Sequence, residues 1–302
     1  MQGWAQILVY AIVLVAFSYP LGIWMARVYT RERSDPVERA FLRLLGRDAS
    51  SEQDWKRYAK SVLVFSVTFT VFLYGLLRLQ GHLFLNPDHL VAVPWQVALN
   101  TTASFVTNTN WQYYGGETTM SYLSQMAGLA VQQFVSAGVG LAVLAAVIRG
   151  IARRSAGTGL GNFWKDLYRS IVYILLPLSL VLAVVLLSQG VPQTFDAHAT
   201  ATTLQGGHQA IARGPVASMI AIKQLGTNGG GYYNSNSAVP FENPTPLSNF
   251  FELLAILLIP FAQVVMFGRM AAARRHAWVL YAAVFSIFAI GVAVAYPAEQ
   301  HG

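Results

Sequence analysis

Six apolar runs set the plan of this chain: Trp4–Ala26, Ser61–Leu79, Tyr122–Ile148, Ile171–Leu187, Phe250–Phe267 and Ala277–Tyr296. Each approaches the roughly 20 residues an α-helix needs to cross about 30 Å of hydrocarbon. The polar positions between them are shared unevenly. Segment 27–60 holds nine Lys and Arg, segment 149–169 five and segment 268–276 three, so 17 of the 20 basic residues fall in alternate connections. Only Arg78, Arg213 and Lys223 lie on the other side. Basic residues collect in cytoplasmic loops. The first run therefore enters from outside, and both termini of this chain face the extracytoplasmic side. No basic residue precedes that first run, no small-residue cleavage pattern follows it, and Arg27, Arg31 and Arg33 stand directly behind it. It reads as a retained span and not as a signal peptide.

The outward segments 80–121 and 188–249 are too long for simple connectors. Each opens a short apolar stretch with a proline, Pro94–Ser104 in one and Gly214–Gln224 in the other. Proline at a helix start and a length of about ten residues predict a helix too short to span. Each stretch runs into a polar turn, Phe105–Trp111 and Leu225–Tyr232. Aligning Thr107 with Thr227 gives a repeat of 120 residues, with tyrosine pairs following at Tyr113-Tyr114 and Tyr232-Tyr233. The predicted unit is span, short helix, turn, span, occurring twice in one orientation as a parallel duplication. A backbone that leaves the helix inside a bilayer is tolerated where protein buries it or where it lines a watery path. Rings of carbonyls are one use of such backbone, because they replace the water around a bare cation. Asn and Gly suit the bend, and a helix C-terminus pointing at the turn attracts positive charge.

Composition agrees with a membrane protein: 55% of residues are hydrophobic, 11% are charged, and the mean hydropathy is +0.46. The net charge of +7 does not imply nucleic acid, since the basic residues sit in loops and form no patch interleaved with stacking aromatics. With no cysteine there is no disulfide and no thiolate metal site. His82, His89, His198 and His208 lack metal-ligand spacing and read as loop residues. Trp4 and Trp95 read as interface anchors in contact with lipid. Lys223 is open to three roles: repelling cations, steering a gate, or a snorkelling or ion-paired structural residue. Glu117 and Glu242 either draw cations to the entrance or stabilise the start of the next helix.

The residues Thr107–Gln112, Gly116–Thr119, Ser124–Leu129, Gly226–Gly231 and Pro240–Thr245 together resemble the A subunit family of the bacterial Kdp potassium-transporting ATPase. The resemblance extends over nearly the whole chain. It implies an all-α polytopic membrane fold of the potassium-transporter superfamily, with six transmembrane helices and two re-entrant pore-helix and filter loops. The corresponding divisions are 1–57 (first span and basic loop), 58–150 (first repeat), 151–268 (second repeat) and 269–302 (outer helix of an incomplete third). It further implies that K+ is the transported ligand, bound by carbonyls of Val106, Thr107, Asn108, Thr109, Gly226, Thr227, Asn228 and Gly229. Asn110, Gln112, Gly230 and Gly231 are adjacent, and Gln112 tunes affinity. No covalently bound cofactor is expected. Hydrolysis falls to a P-type ATPase partner, the family's B subunit, in a bacterial inner-membrane complex that also holds its C subunit and its small membrane-embedded F subunit. The chain itself shows neither an aspartyl-phosphorylation motif nor a Gly-rich phosphate loop. The family carries four such repeats in a chain nearly twice as long, so a fragment or truncated product is expected here, with pairing of two copies as the other route to a full ring. Other readings are an ATP-independent channel, an ion-coupled transporter, or a non-conducting scaffold.

Overall fold

The computed structural model describes residues 2–46, 51–152, 159–196 and 198–301; Arg47, Arg153 and Arg154 of the basic loops lie outside them. Among the described residues, six helices are long and apolar enough to cross a membrane: Gly3–Thr30, Trp55–His82, Ser124–Ala152, Phe163–Ser188, Pro246–Met270 and Arg274–Gln300. They contain, or nearly contain, the six apolar runs. Each extends past its run because polar residues at the interface continue the helical hydrogen bonding. Both expected short helices form, at Trp95–Val106 and Val216–Leu225, with Pro94 and Pro215 at their N-caps. The fold is the all-α polytopic one the hydropathy pattern predicts.

Packing orders the spans around the second repeat. The first span lies along the fifth, where Gly22 permits close approach: a Cβ there would stand 2.4 Å from the Ala262 carbonyl oxygen. The sixth packs on the fifth and is tied to the first by a 2.7 Å hydrogen bond between the Ser18 and Tyr281 hydroxyls. The second short helix is enclosed by the third, fourth and fifth spans, and nine of its ten residues are buried. Here a helix is almost wholly surrounded by protein, which is what a non-spanning element at membrane depth requires.

The segment between the first two spans holds more structure than a basic loop. Pro36–Leu44 forms a helix whose N-cap Asp35 accepts the Glu38 N–H at 2.8 Å, a combination of proline start and acidic cap. Its buried Glu38 pairs with Arg169 at 3.0 Å, and Arg149 grips Asp166 through two hydrogen bonds of 2.6 and 2.8 Å. Arg149 and Arg169 of the basic segments are therefore internal clamps. Segment 188–249 carries an antiparallel hairpin, β1 (His198–Thr202) paired with β2 (His208–Ala212), which the sequence pattern did not predict. His198 in that hairpin contacts Asp88 of segment 80–121 at 3.3 Å.

Candidate functional site

The two turns are built differently from the same plan. After the first short helix, the Thr107 N–H and hydroxyl both reach the Ala103 carbonyl, at 3.2 and 2.9 Å. The Thr109 and Asn110 N–H groups then return to the Ser104 carbonyl at 2.9 and 3.1 Å, and the Trp111 N–H donates to Ser104 Oγ at 2.5 Å. The chain thus wraps the helix end. Asn108 and Asn110 take left-handed φ values of 63° and 54°, which Asn tolerates better than most residues.

After the second short helix, the Gly226 N–H bonds Ile222 O at 2.7 Å, Thr227 N–H bonds Gln224 O at 3.1 Å and Asn228 N–H bonds Lys223 O at 3.0 Å. Left-handed conformation falls here on Thr227 (φ 52°), Gly229 (86°) and Gly230 (70°). Glycine is required at 230: a Cβ would lie 2.9 Å from Gln112 Oε1 and 3.0 Å from the Asn110 carbonyl oxygen.

The structure brings the two turns together. Asn228 Nδ2 donates to Asn108 Oδ1, and also approaches the Gln133 carbonyl and Ser136 Oγ, both at 3.3 Å. Ser136 Oγ donates to Asn108 Oδ1 at 2.8 Å, and Asn108 Nδ2 donates to the Gly226 carbonyl at 3.3 Å. Further out, Gln112 clamps Gly231 by accepting its N–H at 2.8 Å and donating to its carbonyl at 3.0 Å. Asn234 Nδ2 donates to the Tyr114 carbonyl at 2.8 Å. The Asn108–Asn228 and Tyr114–Asn234 partners stand 120 positions apart and Gln112–Gly231 119 apart, so the repeat read in the sequence is also the contact pattern between turns.

Inward of the turns lies a cavity of about 170 Å³ lined by Asn108, Ser136, Gly226, Thr227, Gln263 and apolar residues including Leu175 and Ile259. Ser136, Leu175 and Ile259 each sit near the middle of a span, so the turns end at mid-membrane depth. Two helix C-termini converge there, with the negative ends of their dipoles facing the turns. Oxygen-rich backbone in this setting suits a dehydrated monovalent cation better than an anion. Among the described residues there is no group of three or more His, Asp or Glu placed to hold a metal ion.

Of the roles open to Lys223 the structure bears out the ion-paired structural one, and Glu242, its partner, takes neither of the two roles read for it. They form a buried ion pair at 2.9 Å, with side chains 1% and 0% exposed. Glu242 also accepts the Tyr233 N–H at 2.7 Å. The next span needs no help from Glu242, because Thr245 and Ser248 already form a reciprocal cap at its start. Lys223 is an internal ion-pair partner and does not reach the surface. Glu117 lies in the first turn of the short helix Gly116–Thr119. Burial pushes the phenols of Tyr232 and Tyr233 upward in pKa, so both stay protonated at neutral pH.

Gln133, Ser136 and Asn234 belong to the site but carried no motif weight in the sequence. Gln133 and Ser136 are polar residues inside an apolar run, itself a signal. The 120-residue offset would have paired Asn234 with Tyr114.

Together these features define a polytopic membrane protein with two span, short helix, turn, span units whose turns lock at mid-membrane. The family model for the potassium-transporting ATPase A subunit matches residues 8–302, and the chain belongs to that family. It is 52% identical to a potassium-transporting ATPase potassium-binding subunit of Methylobacterium nodulans, across all of this chain and 54% of the relative. Proteins of the same description from Sorangium cellulosum and Herpetosiphon aurantiacus are each 54% identical, covering 100% and 98% of this chain and 54% of each relative. The chain spans about half the length of the curated relatives it matches.

Proposed function

We propose that the two locked turns supply half of a carbonyl-lined K+ filter in the potassium-binding subunit of an ATP-driven potassium uptake complex. The observation that carries this reading is the Asn108–Asn228 hydrogen bond, which joins repeat-related residues at the ends of two converging helices. Val106, Thr107, Asn108 and Thr109 from one turn and Gly226, Thr227, Asn228 and Gly229 from the other line the ion path. The Gly226 carbonyl, already accepting from Asn108 Nδ2 and the Thr227 hydroxyl, marks its inner edge. Asn110, Gln112, Gly230 and Gly231 hold the strands against each other. K+ enters from the extracytoplasmic side and exchanges water for carbonyl oxygens as it descends. Hydrolysis takes place on the P-type ATPase partner, the B subunit, and the C subunit and the small F subunit complete the inner-membrane assembly. Both termini of this chain face outward in that assembly.

The test is Gly229→Asp in the complete complex. Gly229 has φ 86° and lies beside the Thr109 carbonyl, 3.7 Å from a Cβ built on it, so a carboxylate there enters the ion path on a strained backbone. Apparent K+ affinity in K+-stimulated ATP hydrolysis, or discrimination against Rb+, is expected to fall at least about tenfold, the equivalent of ~1.4 kcal/mol. Wild-type affinity and discrimination would remove the filter assignment.

A further inference from the structure

We propose that the buried Lys223–Glu242 pair is a positioning device that fixes the second turn and thereby sets its ion discrimination; the inference rests on the filter reading above. Both flanks of the turn are tied to one carboxylate. On the near side, Lys223 receives the Asn228 N–H at its carbonyl at 3.0 Å and sends its ammonium to Glu242 at 2.9 Å and to Ser237 Oγ. On the far side, the other Glu242 oxygen accepts the Tyr233 N–H at 2.7 Å. Between them, Gly231 is seated flush against the carboxylate: a Cβ there would lie 2.7 Å from both of its oxygens.

The brace continues into the fifth span. Gln224 donates to Ser237 Oγ at 3.3 Å and to Glu252 Oε2 at 2.5 Å. Moving Glu242 therefore moves a connected network and not one side chain.

One energetic argument and two observations distinguish this pair from packing material. Burying two charges is costly, and an apolar pair of similar volume commonly gives equal or greater stability, so a buried ion pair is weak evidence of a stability role. The second turn also contains the element that needs holding. Thr227 is β-branched yet held at φ 52°, a conformation that persists only where the surroundings impose it. Finally, the first turn lacks the brace, and its left-handed positions fall on Asn108 and Asn110, a residue type that adopts them more readily than a β-branched one. Four residues before each turn threonine, Lys223 is matched by Ala103, and the first turn is fastened by Ser104 instead. The charges also bear on the ion. Glu242 neutralises a lysine ammonium that would otherwise stand buried close to the cation path.

The experiment compares Glu242→Gln and Gly231→Ala with wild type and Gly229→Asp, each in the full-length subunit assembled with its ATPase partner. The readout is the ratio of apparent K+ to Rb+ affinities in cation-stimulated ATP hydrolysis, alongside the maximal rate. Gly231→Ala pushes the strand off the carboxylate without altering any charge, and it decides the matter where Glu242→Gln does not assemble. The expected result is an about tenfold loss of the ratio in both variants, equivalent to ~1.4 kcal/mol. A wild-type ratio in assembled Gly231→Ala or Glu242→Gln, with Gly229→Asp altered, overturns the positioning role and leaves the filter standing. A wild-type ratio in all three overturns the filter reading and this inference with it.

Discussion

The two turns share a sequence frame and a partner in each other, yet they reach their shapes by different means. The first is fastened by its own helix: Ser104 alone takes three backbone N–H groups, from Thr109, Asn110 and Trp111. Its outer flank is open, with Ala103, Thr107, Thr109 and Trp111 exposed in this chain. The second is fastened by its surroundings. Lys223, Asn228, Gly230 and Gly231 are buried, and the fastening groups come from Glu242, Ser237 and the third span. The backbone paths differ accordingly. Asn108 and Asn110 are left-handed in the first turn, Thr227, Gly229 and Gly230 in the second, so the aligned residues at the first two turn positions exchange conformations. Alignment of repeats thus fixes which residues meet without fixing how each is held. A locally fastened turn tolerates loss of neighbours, whereas an enclosed one transmits any change in its enclosure to its own backbone.

The largest expected effect breaks the joint itself. Asn228→Ala removes the donor to Asn108 and leaves buried acceptors at Gln133 and Ser136 short of a partner. Stranding buried polar groups costs about 2–3 kcal/mol, on the order of a hundredfold in apparent K+ affinity if the joint sets the site. Titration of K+-stimulated ATP hydrolysis measures it. A loss under threefold would mean that the turns hold their positions independently.

A smaller effect separates the two conformations. Thr227→Gly relieves a left-handed β-branched residue and is expected to raise thermal stability by about 1–2 kcal/mol, while Thr107→Gly, at φ −87°, gains nothing. Thermal unfolding in detergent of both variants reads the difference directly. Equal shifts would show that the second turn stores no strain.

How much of this was legible in the sequence follows from how local each signal is. A 20-residue apolar run is a one-dimensional signal with a fixed length scale, so the six spans were visible, and so were two short helices announced by Pro94 and Pro215. The duplication was visible because identical chemistry recurs at one offset, and that offset also placed Asn108 opposite Asn228. What stayed hidden depends on partners distant in sequence. Glu242 reads as a helix-entry acid until Thr245 and Ser248 are seen to cap the helix and Lys223 to lie within reach. The Pro36–Leu44 helix was absorbed into a basic segment, although Asp35, Pro36 and Glu38 carry the local marks of a helix start. The hairpin at His198–Ala212 is short and largely exposed, so no buried face imposed an alternating pattern.

The smallest expected effect tests the local fastening of the first turn. Ser104→Ala deletes the hydroxyl that receives the Trp111 N–H but leaves the Ser104 carbonyl, which still receives Thr109 and Asn110. Trp111 is 76% exposed, so its freed N–H has access to other partners and the loss is that of one net hydrogen bond. That is about 1 kcal/mol, or roughly fivefold in apparent K+ affinity if fully felt at the ion path. If the first turn is held by its own helix end, Ser104→Ala lowers K+ affinity without changing the response of the second turn. Its effect should then add to that of Gly231→Ala within about 0.5 kcal/mol, as independent sites do. Marked non-additivity in the double variant would mean that the Asn108–Asn228 joint passes strain from one turn to the other, and that the two fastenings act as one.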